Sequence, residues 1–374
     1  MSIRGLFISI HPRDDRSAYT HRLVKLAQCL EERGMGHDFL CMEDTPFLRK
    51  SSTASLFLLR HYGKLRRYDF IHCGDAEAGQ ALFLSRHLVK APIILDIHGD
   101  VIAQSVLAEE VRTSGKRSVA SPLVRLFYWM AVRSADHFLT VSSLQTKELI
   151  EQGIAEDRIT LVRNGVDLDL FRDTPVPREV PVRFAYAGGF QTWQGIDYLI
   201  EAFAQMDHSS ARLLMVGFQA QDGSLKRELI DRFGPSVELI DKVDQERLID
   251  ILRSATVLVI PRKAHRAIRH AFPTKFAEYA ALGRPILVND VDETAEFVKK
   301  YECGFVAEPS PEGMARAMTQ AAATPAETLQ EMGNRARRMA EECFSWNRIG
   351  DVYADAVRSL VTGARAESLK FGQR

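Results

Sequence analysis

Residues 256–288 read Thr256-Val-Leu-Val-Ile-Pro-Arg-Lys-Ala-His-Arg-Ala-Ile-Arg-His270-Ala-Phe-Pro-Thr-Lys-Phe-Ala-Glu-Tyr-Ala280-Ala-Leu-Gly-Arg-Pro-Ile-Leu-Val288. The run 256–260 is a short apolar strand of the kind buried on both faces. Pro273 suits the first position of a helix over 274–282, and a second apolar strand follows at 285–288. Strand, helix and strand in that order predict a parallel pair joined by a crossover.

The same alternation runs outward in both directions. Towards the C-terminus a strand fits 304–307. Towards the N-terminus strands fit 237–240, 213–216 and 183–186, with helices over 245–254 and 196–206. Residues 172–181 then place three prolines within seven residues, which is linker composition. Before them a second block offers strands at 3–10, 38–41, 70–72, 93–97, 137–141 and 159–162. Helices over 18–33, 76–88 and 144–152 alternate with these, and Gly34 and Gly153 stand where helix ends favour glycine. The expected fold class is α/β, with two doubly wound Rossmann-like domains facing across a cleft. A chain of 374 residues has the length for two such domains. The expected limits are 1–172 and 173–345, with a C-terminal segment 346–374.

Composition narrows the function classes. The 49 Lys and Arg balance 49 Asp and Glu, so net charge gives no pull towards nucleic acid. The longest purely apolar run is 126–132, far short of the roughly 20 residues that span a bilayer. The first residues read as a strand and not as a signal peptide. Five cysteines, an odd number with no CxxC pair, suit neither a disulfide framework nor a zinc site and point to a reducing cytoplasm.

Two stretches have the residues for phosphate and sugar chemistry. Gly188 and Gly189 close a strand and open a helix, where backbone can approach a ligand and free N–H groups face an anion. Residues 262–270 hold four Arg or Lys, two His and no acid, beyond the strand 256–260 and therefore at the carboxyl edge of a parallel sheet. Thr274, Lys275 and Glu278 lie on the first turns of the next helix. Lys275 and Glu278, three apart, share a face; they suit either a diphosphate with ribose hydroxyls or a surface ion pair.

These motifs resemble those of retaining, nucleotide-sugar-dependent glycosyltransferases of family 4, which have the GT-B architecture. The matching segments are 136–142 (Asp-His-Phe-Leu-Thr-Val-Ser), 162–167 (Val-Arg-Asn-Gly-Val-Asp), the turn and helix 188–202, 214–217 (Leu-Met-Val-Gly) and 273–285. The resemblance implies a UDP- or GDP-sugar donor and a glycan, lipid-linked or small-molecule acceptor. Transfer would retain configuration, without a cofactor or a required metal, in bacterial surface polysaccharide or glycoconjugate synthesis. It implies donor contacts at Gly188, Gly189, Phe190, Gln194, Arg262, His270, Phe272, Pro273, Thr274, Lys275 and Glu278. Acceptor contacts would come from Arg13, His98 and Asp100, and catalysis from His98, Lys275 and Glu278. It also implies that a helix over 349–361 crosses back to the first domain.

Three positions depart from the family pattern. His270 replaces the first Glu of the Glu-x7-Glu element, Gln194 replaces a loop lysine, and Asp14-Asp-Arg-Ser-Ala18 replaces a Gly-Gly loop. Arg262, Lys263, Arg266 and Arg269 are candidates for the lost charge. Asp290-Val-Asp292 follows the wrong strand end for a DxD metal motif. A nucleotide-sugar 2-epimerase and a donor-binding scaffold without turnover are the alternative functions.

Two further basic stretches contain no acid. Residues 49–67 hold six Arg or Lys around Leu56-Phe-Leu-Leu59, and 112–133 hold five around Leu126-Phe-Tyr-Trp-Met130. The first fits either a solvated helix face or peripheral contact with an anionic membrane at the inner face of the plasma membrane. The second, apolar nearly all round, reads rather as a core helix.

Overall fold

Twelve parallel strands form two sheets of six in the computed structural model, which describes residues 3–9, 18–41, 62–112, 119–178, 180–190 and 194–371. The chain divides into one unit of Met1–Asn164 with Trp346–Arg374 and another of Gly165–Ser345. In the first unit β1 (Arg4–Ser9), β2 (Gly36–Cys41), β3 (Phe70–Cys73), β4 (Ile93–Ile97), β5 (His137–Thr140) and β6 (Ile159–Leu161) pair in the order β2-β1-β3-β4-β5-β6. In the second, β7 (Val182–Ala187), β8 (Ala211–Phe218), β9 (Val237–Asp241), β10 (Val257–Ile260), β11 (Ile286–Asn289) and β12 (Gly304–Ala307) pair as β12-β11-β10-β7-β8-β9. All twelve lie where the apolar runs placed them. The central strands β3, β4, β5, β10 and β11 are buried from end to end, as helices on both faces of a parallel sheet require.

The second unit starts at Gly165, earlier than the expected 173. Val166 donates its N–H to the Phe344 carbonyl at 2.8 Å and bridges Ser345. The proline-rich 172–181 stretch is tied to the same unit rather than acting as a free linker. Val176 is buried and donates its N–H to Gln330 Oε1 at 2.8 Å. Buried Arg284 donates to the Thr174 carbonyl at 2.6 Å and to its hydroxyl at 2.7 Å.

The last helix, Trp346–Phe371, packs in the first unit. Trp346, Ile349, Tyr353, Val357 and Val361 share a buried cluster with Leu23, Leu26 and Leu30 of the helix Ala18–Glu31. Arg33 fastens the pair, donating to Asp351 at 2.9 Å and to the Asn347 carbonyl at 2.6 Å.

The helix Pro122–Ser134 corrects the sequence reading of a core helix. Ala131 and Ser134 are buried, whereas Leu123, Leu126 and Trp129 are exposed. Of the basic stretch 49–67, residues up to 61 lie outside the described ones; Arg66 and Arg67 are exposed. The cysteines are free thiols, with Cys29, Cys73 and Cys303 buried.

Arg22 is, with Arg284, among the largest fully buried side chains of the described residues and joins several elements of the first unit. It grips the Asp96 carboxylate of β4 bidentately at 2.9 and 3.0 Å and donates to the carbonyls of Val162 and Arg163 at 2.8 and 2.9 Å. The guanidinium beside Asp96 holds that carboxyl below its usual range against the opposing effect of burial. Removing one partner leaves the other charge buried without compensation. Arg22→Met is therefore expected to lower stability by about 3–5 kcal/mol, read as the shift in urea-unfolding free energy.

Candidate active site

The strand order of the second unit reverses between β7 and β10. Crossovers leave these neighbours in opposite directions, so the crevice beyond their carboxyl ends is open to a ligand. β7 ends at Ala187 and continues into Gly188 and Gly189; β10 ends at Ile260 and leads through 261–272 to the helix Thr274–Ala281.

Gly188 has φ +147°, a conformation that side chains rarely adopt, and a Cβ there would lie 2.6 Å from Lys275 Nζ and 2.9 Å from Tyr186 Oη. The backbone conformation therefore favours glycine at this turn, and Lys275 lies directly against it. The ammonium lies 4.4 Å from the centre of the Tyr186 ring and 3.4 Å from its hydroxyl. Tyr186 Oη donates to the Gly189 carbonyl at 2.6 Å, and Tyr279 Oη accepts the Ala187 N–H at 2.9 Å. Two tyrosines thus brace the loop from below.

Pro273 caps the helix from outside rather than occupying its first turn; the helix begins at Thr274. Its ring restricts the backbone just before the helix, where φ −72° and ψ 124° are extended. Phe276 donates its N–H to the Pro273 carbonyl at 3.0 Å, whereas the N–H groups of Thr274 and Lys275 precede the first intrahelical bond.

Lys275 and Glu278 are partly buried and do not form the i,i+3 ion pair that spacing allows. Burial, reinforced by Arg262, pushes the Lys275 ammonium down to about 7 despite Glu278. Burial pushes the Glu278 carboxyl up to about 7 despite Lys275. Among the described residues the Glu278 carboxylate has no hydrogen-bond partner. A cation and a carboxyl, both shifted towards neutrality by burial and one turn apart at a sheet switch point, make this edge the candidate site of the second unit.

The other expected donor positions divide. Phe190 stacks on Phe218 with ring centres 4.1 Å apart, beside Tyr186 at 6.0 Å. Gln194 is partly buried and precedes Gly195, which opens the helix Ile196–Ala204 at φ +72°. Arg262 instead turns its guanidinium to Asp292 and to the carbonyls of Ala271 and Ile268 at 3.0 and 3.1 Å, which shapes the 262–271 loop. Phe272 packs with Phe276, Phe297 and Phe344 at 5.3–6.1 Å. His270 is buried, with Nδ1 3.1 Å from the Arg266 carbonyl. Lys263 pairs with Asp197 at 2.5 Å, on the first turn of the helix that Gln194 precedes. Asp290 is held by Lys299 at 2.7 Å, and Asp292 caps the helix Glu293–Tyr301.

In the first unit His98 follows β4. Its Nε2 lies 2.8 Å from the Gly74 carbonyl, which only accepts, so Nε2 carries the proton. Nδ1 has no partner among the described residues. Tyr19 packs edge-on at 5.4 Å, and the Asp96 carboxylate lies 3.7 Å from Nε2. Behind it, His72 meets Tyr353 of the C-terminal helix at 2.7 Å through Nδ1 and faces Asp96 at 3.7 Å through Nε2. Asp100 accepts the Ala103 N–H at 2.8 Å at the start of the helix Val101–Arg112. Arg13 lies outside the described residues.

Sequence reasoning did not single out Tyr186, Tyr279, Arg22 or Asp96. For Asp96 a signal existed: one acid inside the apolar run Ile93-Ile-Leu-Asp-Ile97 must have a buried partner. The tyrosines gave none beyond their place beside the glycine turn and on the following helix.

Two six-stranded parallel sheets, one with the switch-point order just described, define a GT-B protein. Among solved structures the chain is similar to sucrose-phosphate synthase from Thermosynechococcus elongatus, with TM-score 0.79 and 18% identity over 96% of this chain and all of that one. It is also similar to Anabaena HepE in complex with UDP-glucose, with TM-score 0.71 and 15% identity over 96% of this chain and all of that one. Residues 21–170 match Glycosyltransferase Family 4 and residues 181–324 match Glycosyl transferases group 1. The chain belongs to the family-4 glycosyltransferases. It is 25% identical to a D-inositol 3-phosphate glycosyltransferase of Streptomyces avermitilis over 80% of this chain and 67% of that protein. It is likewise 25% identical to an MMP alpha-(1->4)-mannosyltransferase of Mycolicibacterium hassiacum over 77% of this chain and 69% of that one.

Burial pushes His72 down to about 4, whereas in the unfolded chain it titrates at its ordinary 6.5. Between these values the unfolded state binds more protons, so stability falls as pH drops from 6.5 towards 4. Urea unfolding across this range is expected to show that slope, and a His72→Gln variant is expected to lose the histidine contribution.

Proposed function

We propose that this glycosyltransferase takes its sugar from a nucleoside-diphosphate sugar bound at the switch point of the second unit. The pairing of Lys275 with Glu278 beneath the Gly188 turn carries the reading. Lys275, with the N–H groups that open its helix, supplies positive charge to the diphosphate, and Glu278 is a double acceptor for the ribose hydroxyls. The HepE structures hold UDP and UDP-glucose on the same fold, which supports a nucleotide-sugar donor.

The leaving diphosphate is stabilised by Lys275 and the helix terminus instead of a metal. The commitment of Asp292 to Arg262 and of Asp290 to Lys299 supports this reading, since neither carboxylate is spare for a cation. Transfer is proposed to retain configuration, as the family resemblance implies, on a glycan, lipid-linked or small-molecule acceptor held by the first unit. His98, with Nε2 anchored to the Gly74 carbonyl, offers Nδ1 as an acceptor for a sugar hydroxyl.

Calorimetry tests the donor site directly. Lys275→Met is expected to weaken UDP binding strongly and uridine binding little, because the lost group acts on phosphate. The anion binds the ammonium form, so UDP affinity is expected to fall above pH 7 by up to about tenfold per unit, with Lys275→Met losing that dependence. Equal losses for UDP and uridine would remove Lys275 from the phosphate site.

Glu278→Ala is expected to lower affinity for both UDP and uridine by about 10- to 100-fold, as charged hydrogen bonds worth 1.5–3 kcal/mol are lost. Thermal unfolding of this variant checks that the fold survives. Undiminished uridine binding in a folded variant would assign the ribose to another residue.

A further inference from the structure

Helix Pro122–Ser134 in the first unit turns one apolar stripe outward. Leu123 is 59% exposed, Leu126 48% and Trp129 48%, at spacings of three that keep them on one face. Trp129 packs at 5.5 Å against Phe83, which opens the turn Phe83–Leu88. That turn exposes Leu84 and Leu88, and Val119, just before the helix, is 84% exposed. Scattered surface leucines are ordinary, but five large apolar side chains on a helix and the turn packed beside it, with a sixth leading into the helix, form a patch that asks for a covering surface.

The charge around this patch identifies the surface. Residues 111–134 and 83–90 contain no acid. Arg125, exposed on the helix, and Lys90, exposed just past the turn, have no ion-pair partner among the described residues. Arg133 lies over the Trp129 ring at 5.5 Å, which leaves its charge at the rim of the apolar stripe. The whole chain is neutral, so this cationic rim is a local feature. A second copy of the chain fits poorly, because a twofold contact through this face would bring like-charged rims together. An apolar stripe with a tryptophan and unpaired cations at its border instead suits the boundary between anionic headgroups and acyl chains.

We propose that the face formed by helix Pro122–Ser134 and the turn Phe83–Leu88 docks this protein on an anionic lipid surface, with Leu123, Leu126 and Trp129 entering the acyl boundary and Arg125, Arg133 and Lys90 at the headgroups. The contact is peripheral, since no helix of the described residues is long and apolar enough to cross a membrane. It does not depend on the donor-site assignment.

Flotation of the full chain with vesicles of phosphatidylcholine, with and without phosphatidylglycerol, tests this. The protein is expected to float with the anionic vesicles only and to be released at high salt. R125Q/R133Q is expected to weaken the partition by about thirtyfold, at roughly 1 kcal/mol per cation, and L123S/L126S to abolish it. These side chains face outward, and thermal unfolding checks that both variants stay folded. As a second readout on the unaltered surface, brominated acyl chains are expected to quench a fluorescence component that Trp129→Phe lacks.

Several results would overturn the proposal. No flotation at low salt would do so, as would equal binding to neutral vesicles. Binding unaffected by all these variants but lost on neutralising Lys64, Arg66 and Arg67 would move the contact to the other basic stretch. A dimer that shields Trp129, with no vesicle binding, would assign the patch to a second copy.

Discussion

A parallel sheet cannot turn back on itself with a hairpin, so each return crosses one face. Where consecutive crossovers change face, the two neighbouring strands lose their covering loops at the carboxyl end. In Gly165–Ser345 that place is the β7–β10 boundary. The glycine turn and the start of helix Thr274–Ala281 both arise there from strand order alone. The chain then had only to place suitable side chains in a gap that its topology had already opened.

What fills the gap is costly when empty. Lys275 and Glu278 are each drawn towards their neutral forms because the protein around them hydrates charge less well than water does. An apolar pair at these positions would carry no such desolvation penalty. Arg262, equally basic in sequence, shows the opposite outcome. Its charge is met by Asp292 and two carbonyls, so it shapes the loop instead of waiting for an anion.

The central strands were legible because each is a short apolar run between helical patterns, and burial on both faces removes the ambiguity of alternation. The edge strands Gly36–Cys41 and Val237–Asp241, more polar and less buried, were legible from their place in the alternation. Lys275 and Glu278 were legible because helical spacing fixes which residues share a face. Arg262 and Phe272 were not, because sequence shows a side chain's chemistry but not the direction of a loop. The exposed stripe of Pro122–Ser134 escaped for a related reason: a helix apolar nearly all round does not declare which side meets the core. The early limit of the second unit followed from Val166, whose partner, Ser345, lies at the far end of that unit.

The helix Trp346–Phe371 completes the first unit from beyond the second. Its residues Trp346, Ile349, Tyr353, Val357 and Val361 fill the space beside helix Ala18–Glu31, and Tyr353 reaches the histidine that backs Asp96. During synthesis the stretch Gly165–Ser345 emerges from the ribosome, with all six of its strands, ahead of this helix. The second unit can therefore close its core first, while the earlier-made first unit waits with one side of its core uncovered. Shortening the chain from the C-terminal end would therefore damage the unit that was made first.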